Sequence, residues 1–147
     1  MYRGIGVPRY WRTETGDSKK GFMNVYLSFD MITPWTVGRF NGVNGAKGYH
    51  NDLEADFKLL NSKNIDYQPV LFPGFAWANM MRNNKRNQIP RLHDDFMWQQ
   101  FVNLKQIGIK SSYVAMFDEY DEGTAIAKGA KDKSMIPTDQ YFLTFDA

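Results

Sequence analysis

The chain has 147 residues, of which 43% are hydrophobic and 23% are charged, and this composition suits the core of one ordinary domain. A formal net charge of +2 argues against a strong phosphate-binding surface, so we expect no nucleic-acid partner. Cysteine is absent, which excludes disulfides and thiolate metal sites, and no apolar stretch approaches the roughly 18 residues that a membrane span needs.

The first third of the chain predicts two short strands, a brief helix and a loop. The first predicted strand covers residues 4–11, and its proline limits the ladder hydrogen bonds. Residues 22–28 predict the brief helix, and residues 30–33 predict the second strand. Several glycines lie within residues 38–48, but their spacing matches neither the dinucleotide-binding nor the P-loop pattern. We interpret that segment as a loop.

A longer helix and a third strand are predicted next. Asn51 is a good N-cap and Glu54 follows three residues later, so a helix is predicted from there to about residue 64. Residues 67–72 predict the third strand, and residues 79–88 predict a polar loop.

The second long helix is predicted from about Asp94 to Gly108. The glycine suits the position just after a helix, where the backbone turns left-handed. Its predicted apolar stripe consists of Met97, Phe101 and Leu104.

The last predicted strand ends in a cluster of acidic side chains. The apolar run 113–117 is continuous, which is typical of a parallel strand buried on both faces. Four carboxylates follow within five residues: Asp118, Glu119, Asp121 and Glu122. Catalytic groups in parallel α/β folds gather at the carboxyl ends of strands. Because neighbouring carboxylates raise one another's pKa, such a cluster indicates chemistry, with a solvated loop as the equal alternative on spacing alone.

A calcium loop and a metal site are disfavoured. Tyr120 occupies a position of the acidic segment where a calcium loop needs an oxygen ligand. The two histidines, His50 and His93, have no matching ligand spacing. We therefore expect neither a metal nor a cofactor.

Aromatic and basic side chains near the predicted strand ends suggest a sugar site, because flat rings stack on the C–H faces of sugars. The candidates for stacking are Tyr10, Trp11, Trp35 and Trp77, with buried packing as the equal alternative. Arg39 and Arg91 are candidates for contacts to substrate or to the acids, although most arginines are structural.

Strands that alternate with helices predict right-handed βαβ units and a parallel sheet. Four such units begin near residues 4, 29, 67 and 112. A complete (β/α)8 barrel needs about 250 residues. The α/β chain is therefore predicted to be half of a (β/α)8 TIM barrel, one partial domain over residues 1–147 that is truncated at both ends. A small, open, doubly wound α/β domain is the alternative.

The chain also resembles a known enzyme family. The stretches that carry the resemblance are G-V-P-R-Y-W-R-T, F-D-M-I-T-P-W-T-V-G-R-F, P-V-L-F-P-G-F-A-W, I-P-R and Y-V-A-M-F-D-E-Y-D-E-G-T-A-I. They are similar to the carboxyl-terminal half of glycoside hydrolases of the family 99 and family 71-like group, which includes endo-α-mannosidases and bacterial relatives labelled xylosidase or arabinosidase. The most specific element is the E-x-x-E-G-T of residues 119–124. The resemblance implies that the chain supplies the fifth to eighth units of a barrel.

The resemblance also implies roles for the acids. Glu119 would take the proton from the sugar 2-hydroxyl, and Glu122 would protonate the leaving oxygen and then activate water. The reaction would be retaining hydrolysis of an α-linked glycoside through a 1,2-anhydro intermediate. Asp118 and Asp121 are assigned to substrate binding or support.

The expected partner is an oligosaccharide or polysaccharide, in a parent protein that is secreted or periplasmic. Self-association or a missing amino-terminal half-barrel would cover the open inner face and the two free strand edges. A noncatalytic carbohydrate-binding or assembly fragment is the alternative function.

Overall fold

The computed structural model describes residues 1–78, 80–81, 85–127, 129–139, 142 and 144 of the chain. In chain order the elements are β1 (Gly4–Pro8), α1 (Met23–Tyr26), β2 (Met31–Trp35), α2 (Gly42–Gly48), α3 (His50–Asn61), β3 (Asp66–Tyr67), β4 (Val70–Leu71), α4 (Asp95–Ile107), β5 (Tyr113–Val114) and a 3₁₀ turn (Lys133–Met135).

All the strands pair in parallel, and they lie side by side in the order of the sequence. β1 pairs with β2, β2 pairs with β3, and β4 pairs with β5. β3 and β4 are the two ends of the predicted third strand: the N–H of Gln68 donates to Ile32 O at 3.0 Å, and the N–H of Tyr113 donates to Pro69 O at 3.0 Å. The third strand thus passes from the β2 side to the β5 side. Sequential order is consistent with a barrel fragment, whereas a doubly wound sheet reverses its order at a switch point.

The helices cover one face of β1 and β2 and leave the other face open. Val7, Ile32 and Tyr67 are buried in one core with Leu53 and Leu60 of α3. Side chains alternate across a strand, so the intervening residues face the other way. Those residues are Gly6 of β1 and Met31, Thr33 and Trp35 of β2, and they are exposed or half-buried. In a closed barrel this open face would line the interior.

A second core lies around β4, β5 and the start of α4. Its buried members include Val70, Phe72, Phe96 and Ala115. The rings of Phe72 and Phe96 meet edge to face with their centroids 5.1 Å apart. The described residues therefore form two cores, and β4 contributes to both, with Leu71 in the first and Val70 in the second.

The glycine-rich segment corrects a sequence prediction. Residues 42–48 form α2 instead of a loop. Ala46 of α2 is fully buried, and its carbonyl oxygen accepts a hydrogen bond from Nδ2 of Asn103 at 2.6 Å. The small residues of α2 allow this close approach to α4, so tertiary packing outweighs the poor helix propensity of glycine.

The two long helices are confirmed, but details of both differ from the prediction. α3 begins at His50 without a side-chain cap, so Asn51 does not cap it. On α4 the buried residues are Phe96, Gln100, Asn103 and Leu104, so only Leu104 of the predicted stripe is correct. Gly108 ends α4 in the left-handed region with φ of 88°, as predicted.

The first and last strands are shorter than predicted, and the last is also less buried. β1 ends at Pro8, before the aromatic pair that the prediction included. The run 113–117 forms only the two-residue strand β5, and Tyr113 and Phe117 are 43% and 69% exposed. Burial on both faces is therefore wrong for this run. The predicted loop 79–88 falls partly outside the described residues. Among the described residues, no helix has the length and apolar character to cross a membrane.

Candidate active site

The parallel arrangement brings the candidate residues to one edge of the sheet. The segments after β1, β2, β4 and β5 carry Tyr10, Arg39, Trp77 and the acids of residues 118–122, and Trp35 ends β2. Since the carboxyl ends of parallel strands emerge at one edge of a sheet, these segments all follow that edge. A direct contact joins two of them: the N–H of Ala76 donates to Glu122 O at 2.7 Å.

The acidic loop, which we define as residues 116–127, is closed by its own main chain. Met116 N–H donates to Thr124 O at 3.0 Å, and Ala127 N–H donates to Phe117 O at 2.8 Å. Within it, Thr124 N–H donates to Glu119 O at 3.1 Å. Gly123 has a φ of 68°, which glycine adopts without strain. The E-x-x-E-G-T motif is thus a tight turn with a local reason for its glycine.

The four acids of the loop have two different environments. Glu119 and Glu122 are half-buried, whereas Asp118 and Asp121 are exposed. Burial, and then the nearby charge of Glu119, raise the pKa of Glu122 above its ordinary value. Oε1 of Glu119 accepts a hydrogen bond from the N–H of Asp121 at 3.0 Å, which orients this carboxylate. The loop therefore holds one carboxyl group that favours its proton beside a second that is fixed by the main chain.

Two of the candidate tryptophans lie at this edge of the sheet. Trp35 is 42% exposed at the end of β2, on the open face of the sheet. Trp77 is half-buried, and its ring packs on Phe75 with centroids 6.0 Å apart. Contact of either ring with a sugar stays a prediction.

Tyr10 and Arg39 also lie at this edge, and both have protein partners. The guanidinium of Arg9 stacks on the Tyr10 ring, 4.8 Å from its centroid. Nη2 of Arg39 forms an ion pair with Oδ2 of Asp17 at 2.5 Å. Their contact with substrate stays a prediction.

The predicted role of Trp11 is corrected by its burial. Its ring is fully buried, and its indole Nε1 donates to Oδ2 of Asp56 at 2.9 Å. The ring also meets Tyr26 edge to face. A side chain without exposed surface offers no face to a sugar, so we leave Trp11 out of the proposed site.

Two buried polar groups near this edge were not assigned structural roles from the sequence. Asp56 is buried in α3, and Arg91 is buried beneath the acidic loop. Asp56 lies three residues after Leu53 and four before Leu60, on the apolar face of its helix, and that spacing is a signal for a buried acid. From the sequence, Arg91 was only one of two arginines that were candidates for contact with substrate or with the acidic side chains.

No group of three or more metal-ligating side chains comes together within the part of the chain that the structure describes.

Comparison with known proteins shows which solved structures share the fold of this chain. No protein-family model matches the chain, and no curated protein matches it. Among solved structures, the GH99 endo-α-mannosidase from Bacteroides thetaiotaomicron aligns with a TM-score of 0.66 and 13% identity, over 95% of this chain and 38% of that chain. A structure of the enzyme from Bacteroides in complex with bis-tris propane aligns with a TM-score of 0.64 and 15% identity, over 95% of this chain and 40% of that chain. The chain has the fold of part of a family 99 glycoside hydrolase.

The family 99 fold confirms the resemblance that the sequence predicted, and the alignment fits a carboxyl-terminal half of that enzyme. The chain spans about two fifths of the length of these structures, since it covers 38% and 40% of them. Identities of 13% and 15% show the fold alone. The hydrolase-like fold is therefore established, and the chemistry of the acidic loop is a matter for proposal.

Proposed function

We propose that this chain carries the catalytic carboxylates of a glycoside hydrolase that cleaves α-linked, mannose-type sugars. Glu122 is the acid and then the base, and Glu119 is the base toward the sugar 2-hydroxyl. The observation that carries the proposal is the pairing of two half-buried glutamates after β5, in which burial and Glu119 raise the pKa of Glu122. A raised pKa keeps a proton available on Glu122 at a pH where an ordinary glutamate has lost it.

The chemistry needs a substrate in which the 2-hydroxyl lies trans to the leaving group. Glu119 takes the hydroxyl proton while O2 attacks the anomeric carbon from behind, and Glu122 gives its proton to the departing oxygen. The resulting 1,2-anhydro sugar is opened by a water molecule that Glu122 deprotonates, while O2 recovers a proton from Glu119. Two inversions at one carbon give net retention.

The surrounding side chains suit a sugar in this position. The partly exposed ring of Trp35 and the half-buried ring of Trp77 lie at the same edge of the sheet and offer apolar faces to a pyranose. Asp118 and Asp121 are exposed beside the glutamates and are available to sugar hydroxyls.

The test is hydrolysis of an activated aryl α-mannoside and of a mannose-containing oligosaccharide by the chain. Glu122→Gln should lower the rate by about 10²- to 10⁴-fold, the range for loss of a general acid and base. Glu54→Gln is the matched control, because Glu54 is partly exposed on α3 and pairs with Lys58 at 2.9 Å. It should keep the rate of the parent. An aryl α-glucoside, whose 2-hydroxyl is cis to the leaving group, should not be cleaved.

A noncatalytic carbohydrate-binding or assembly role is the second candidate. The open face of β1 and β2 favours it, because an exposed inner face invites a partner that completes the cleft. Calorimetric binding of a mannose oligosaccharide without hydrolysis would support this role and would sink the claim that the chain by itself is an enzyme. Equal losses of rate in Glu122→Gln and Glu54→Gln would contradict the assigned role of Glu122.

A further inference from the structure

Arg91 lies beneath the acidic loop and holds its main chain. The side chain is buried, at 4% exposure. Its Nη2 donates to the carbonyl oxygens of Gly123 at 3.0 Å and Ala125 at 2.5 Å. Both acceptors lie within three residues after Glu122. Hydrogen bonds from a charged donor are stronger than those between neutral groups, so each of these two bonds is stronger than a main-chain bond within the loop.

The turn before Arg91 is fitted to it. Phe75 and Ile89 exchange two main-chain hydrogen bonds, at 3.0 and 2.9 Å. These bonds hold the turn at residues 73–75 against the segment that leads into Arg91. Gly74 touches that segment without a side chain: a Cβ there would lie 2.9 Å from Cγ of Arg91 and 3.0 Å from Ile89 O. A side chain at Gly74 would therefore push Arg91 off its position.

The residues after Arg91 adopt an unfavourable backbone. Leu92, His93 and Asp94 have φ values of 56°, 52° and 69°, in the left-handed region that residues other than glycine rarely enter. Strain of this kind persists where the surroundings determine it, and it concentrates at functional sites. Here it turns the chain sharply between Arg91 and α4, which leaves the guanidinium pointing at the loop.

The same loop is held from a second side. Ala76 N–H donates to Glu122 O, so the carbonyl groups of three residues, 122, 123 and 125, are each bound by groups outside the loop. Burial lowers the pKa of Arg91, and the nearby charge of Asp94 opposes this shift only in part. A guanidinium stays charged under these influences. The charged guanidinium thus donates to main-chain oxygens of the loop.

We propose that Arg91 is the positioning residue of the acidic loop: through the carbonyl oxygens of Gly123 and Ala125 it fixes the main chain that carries Glu119 and Glu122. The consequence for rate rests on the proposed function, whereas the consequence for loop order does not. A sugar hydrolase needs its two carboxylates at fixed positions, and a displacement of about 1 Å costs as much as 10²-fold in rate.

The first experiment measures main-chain order without substrate. Amide hydrogen exchange of residues 116–127 is compared in the parent chain and in Arg91→Met. Loss of the two bonds should speed exchange at Gly123, Thr124 and Ile126 by about 10- to 100-fold. Arg3→Met is the matched control, because Arg3 is an exposed arginine that donates to a main-chain carbonyl, Ser28 O at 2.7 Å, at the opposite end of β1. It should leave exchange in the acidic loop unchanged.

Unchanged exchange in a folded Arg91→Met would overturn the proposal. Arg91→Lys serves where the methionine variant does not fold, since it keeps the charge but presents a single nitrogen. It should fold cooperatively and show intermediate exchange in residues 116–127. Loss of cooperative unfolding in both variants would make Arg91 a general structural residue and would equally overturn the positioning role.

A second readout separates this proposal from the proposed function. If the chain hydrolyses the aryl α-mannoside, Arg91→Met should lower kcat by about 10- to 100-fold with a smaller change in KM, and Arg91→Lys should restore part of it. If the chain hydrolyses nothing, the proposed function fails, and faster exchange in Arg91→Met still supports the positioning role.

Discussion

Asp56 is a buried acid that organises the helix-covered side of the sheet. Its carboxylate accepts hydrogen bonds from Nε1 of Trp11 at 2.9 Å, from Nε of Arg12 at 2.6 Å and from the hydroxyl of Tyr67 at 3.3 Å. Burial nevertheless outweighs these favourable contacts and raises its pKa above 3.8. The three donors come from two different segments, so one carboxylate ties the loop after β1 to α3 and β3.

We expect Asp56→Ala to lower the free energy of unfolding at pH 7 by about 3 kcal/mol, because it leaves Arg12 and the indole N–H of Trp11 without their buried acceptor. Urea unfolding monitored by tryptophan fluorescence measures the change. Asp52→Ala is the control, since Asp52 is a neighbouring acid of α3 whose side chain is 41% exposed. A loss in Asp56→Ala no larger than in Asp52→Ala would contradict the assigned role.

The raised pKa of Asp56 also predicts how stability changes with pH. The folded state holds this proton more tightly than the unfolded chain, whose ordinary value is 3.8. The stability gained from the proton is therefore fully present below pH 3.8 and is lost as pH rises through the folded pKa. In Asp56→Asn this component should vanish, so the stability of the variant should fall less than that of the parent over the same rise in pH. Unfolding curves at several pH values test the difference, and parallel curves would contradict it.

Glu119→Gln should lower the pKa of Glu122, because the negative charge that opposes ionisation of Glu122 is removed. The pKa should stay above the ordinary 4.5, since burial is the larger cause of the shift. Carboxyl carbon shifts followed by NMR against pH give the value without any need for activity. A pKa that does not fall would mean that the two carboxylates do not interact.

The paired glutamates were visible in the sequence, but their support was not. The four acids after an apolar run stand out in the sequence, and the resemblance carried by E-x-x-E-G-T selects Glu119 and Glu122 among them. Trp11 shows the limit of such reasoning, because its burial depends on Asp56, which lies 45 residues away in the sequence. Contacts between distant segments have no local signature, so aromatic candidates at strand ends divide into exposed and buried only once the fold is built.

At the scale of elements, hydrophobic periodicity found both long helices but misjudged which face of α4 is buried. Gln100 is buried because its amide bonds both main-chain groups of Phe72, accepting at 3.2 Å and donating at 2.9 Å. Asn103 is buried because it donates to Ala46 O. The Gln100 amide satisfies main-chain groups that a regular ladder leaves open after β4, and the Asn103 amide satisfies a carbonyl in the last turn of α2. A polar side chain that bonds an unpaired main-chain group can therefore occupy a buried position of a helix. The hydrophobic pattern does not show where such unpaired groups lie.

Gly108→Ala should lower the free energy of unfolding by about 1 kcal/mol, because Gly108 ends α4 with a φ of 88°. No atom lies within 4 Å of the position of a new Cβ, so the cost is conformational alone. Gly48→Ala is the control: it ends α2 without a left-handed φ, its Cβ position is equally open, and alanine there should stabilise the helix. Thermal unfolding should show a lower stability for Gly108→Ala and a higher stability for Gly48→Ala. A Gly108→Ala variant as stable as the parent chain would contradict the argument.

For the molecule as a whole, the sequence predicted the parallel sheet, and the spatial order of the strands favours a barrel fragment. What local patterns did not predict is the exposure of the last strand. The run 113–117 is apolar throughout, and its sequence suits burial on both faces, yet Phe117 is 69% exposed. An apolar surface of this kind is suited to a partner, and the open face of β1 and β2 has the same character.

We expect the isolated chain to self-associate through the open face. Thr33→Lys places a charge at the centre of that face, next to Trp35, and should shift the chain toward monomer in sedimentation at micromolar concentrations. Gln106→Lys adds the same charge on the exposed side of α4 and should leave the distribution unchanged. At tens of micromolar, a chain with a specific interface of this kind should associate. If the parent chain stays monomeric at that concentration, the expectation is contradicted.

The presence of two buried cores divides the molecule thermodynamically. The larger core includes Val7 and Leu53, and the smaller core includes Phe72 and Ala115 and lies next to the acidic loop. We expect the smaller unit to open at a lower free energy than the larger one. Any partner that covers the open sheet and orders the smaller unit then stabilises the acidic loop. By reciprocity, a sugar that orders the loop strengthens the binding of that partner by the same factor.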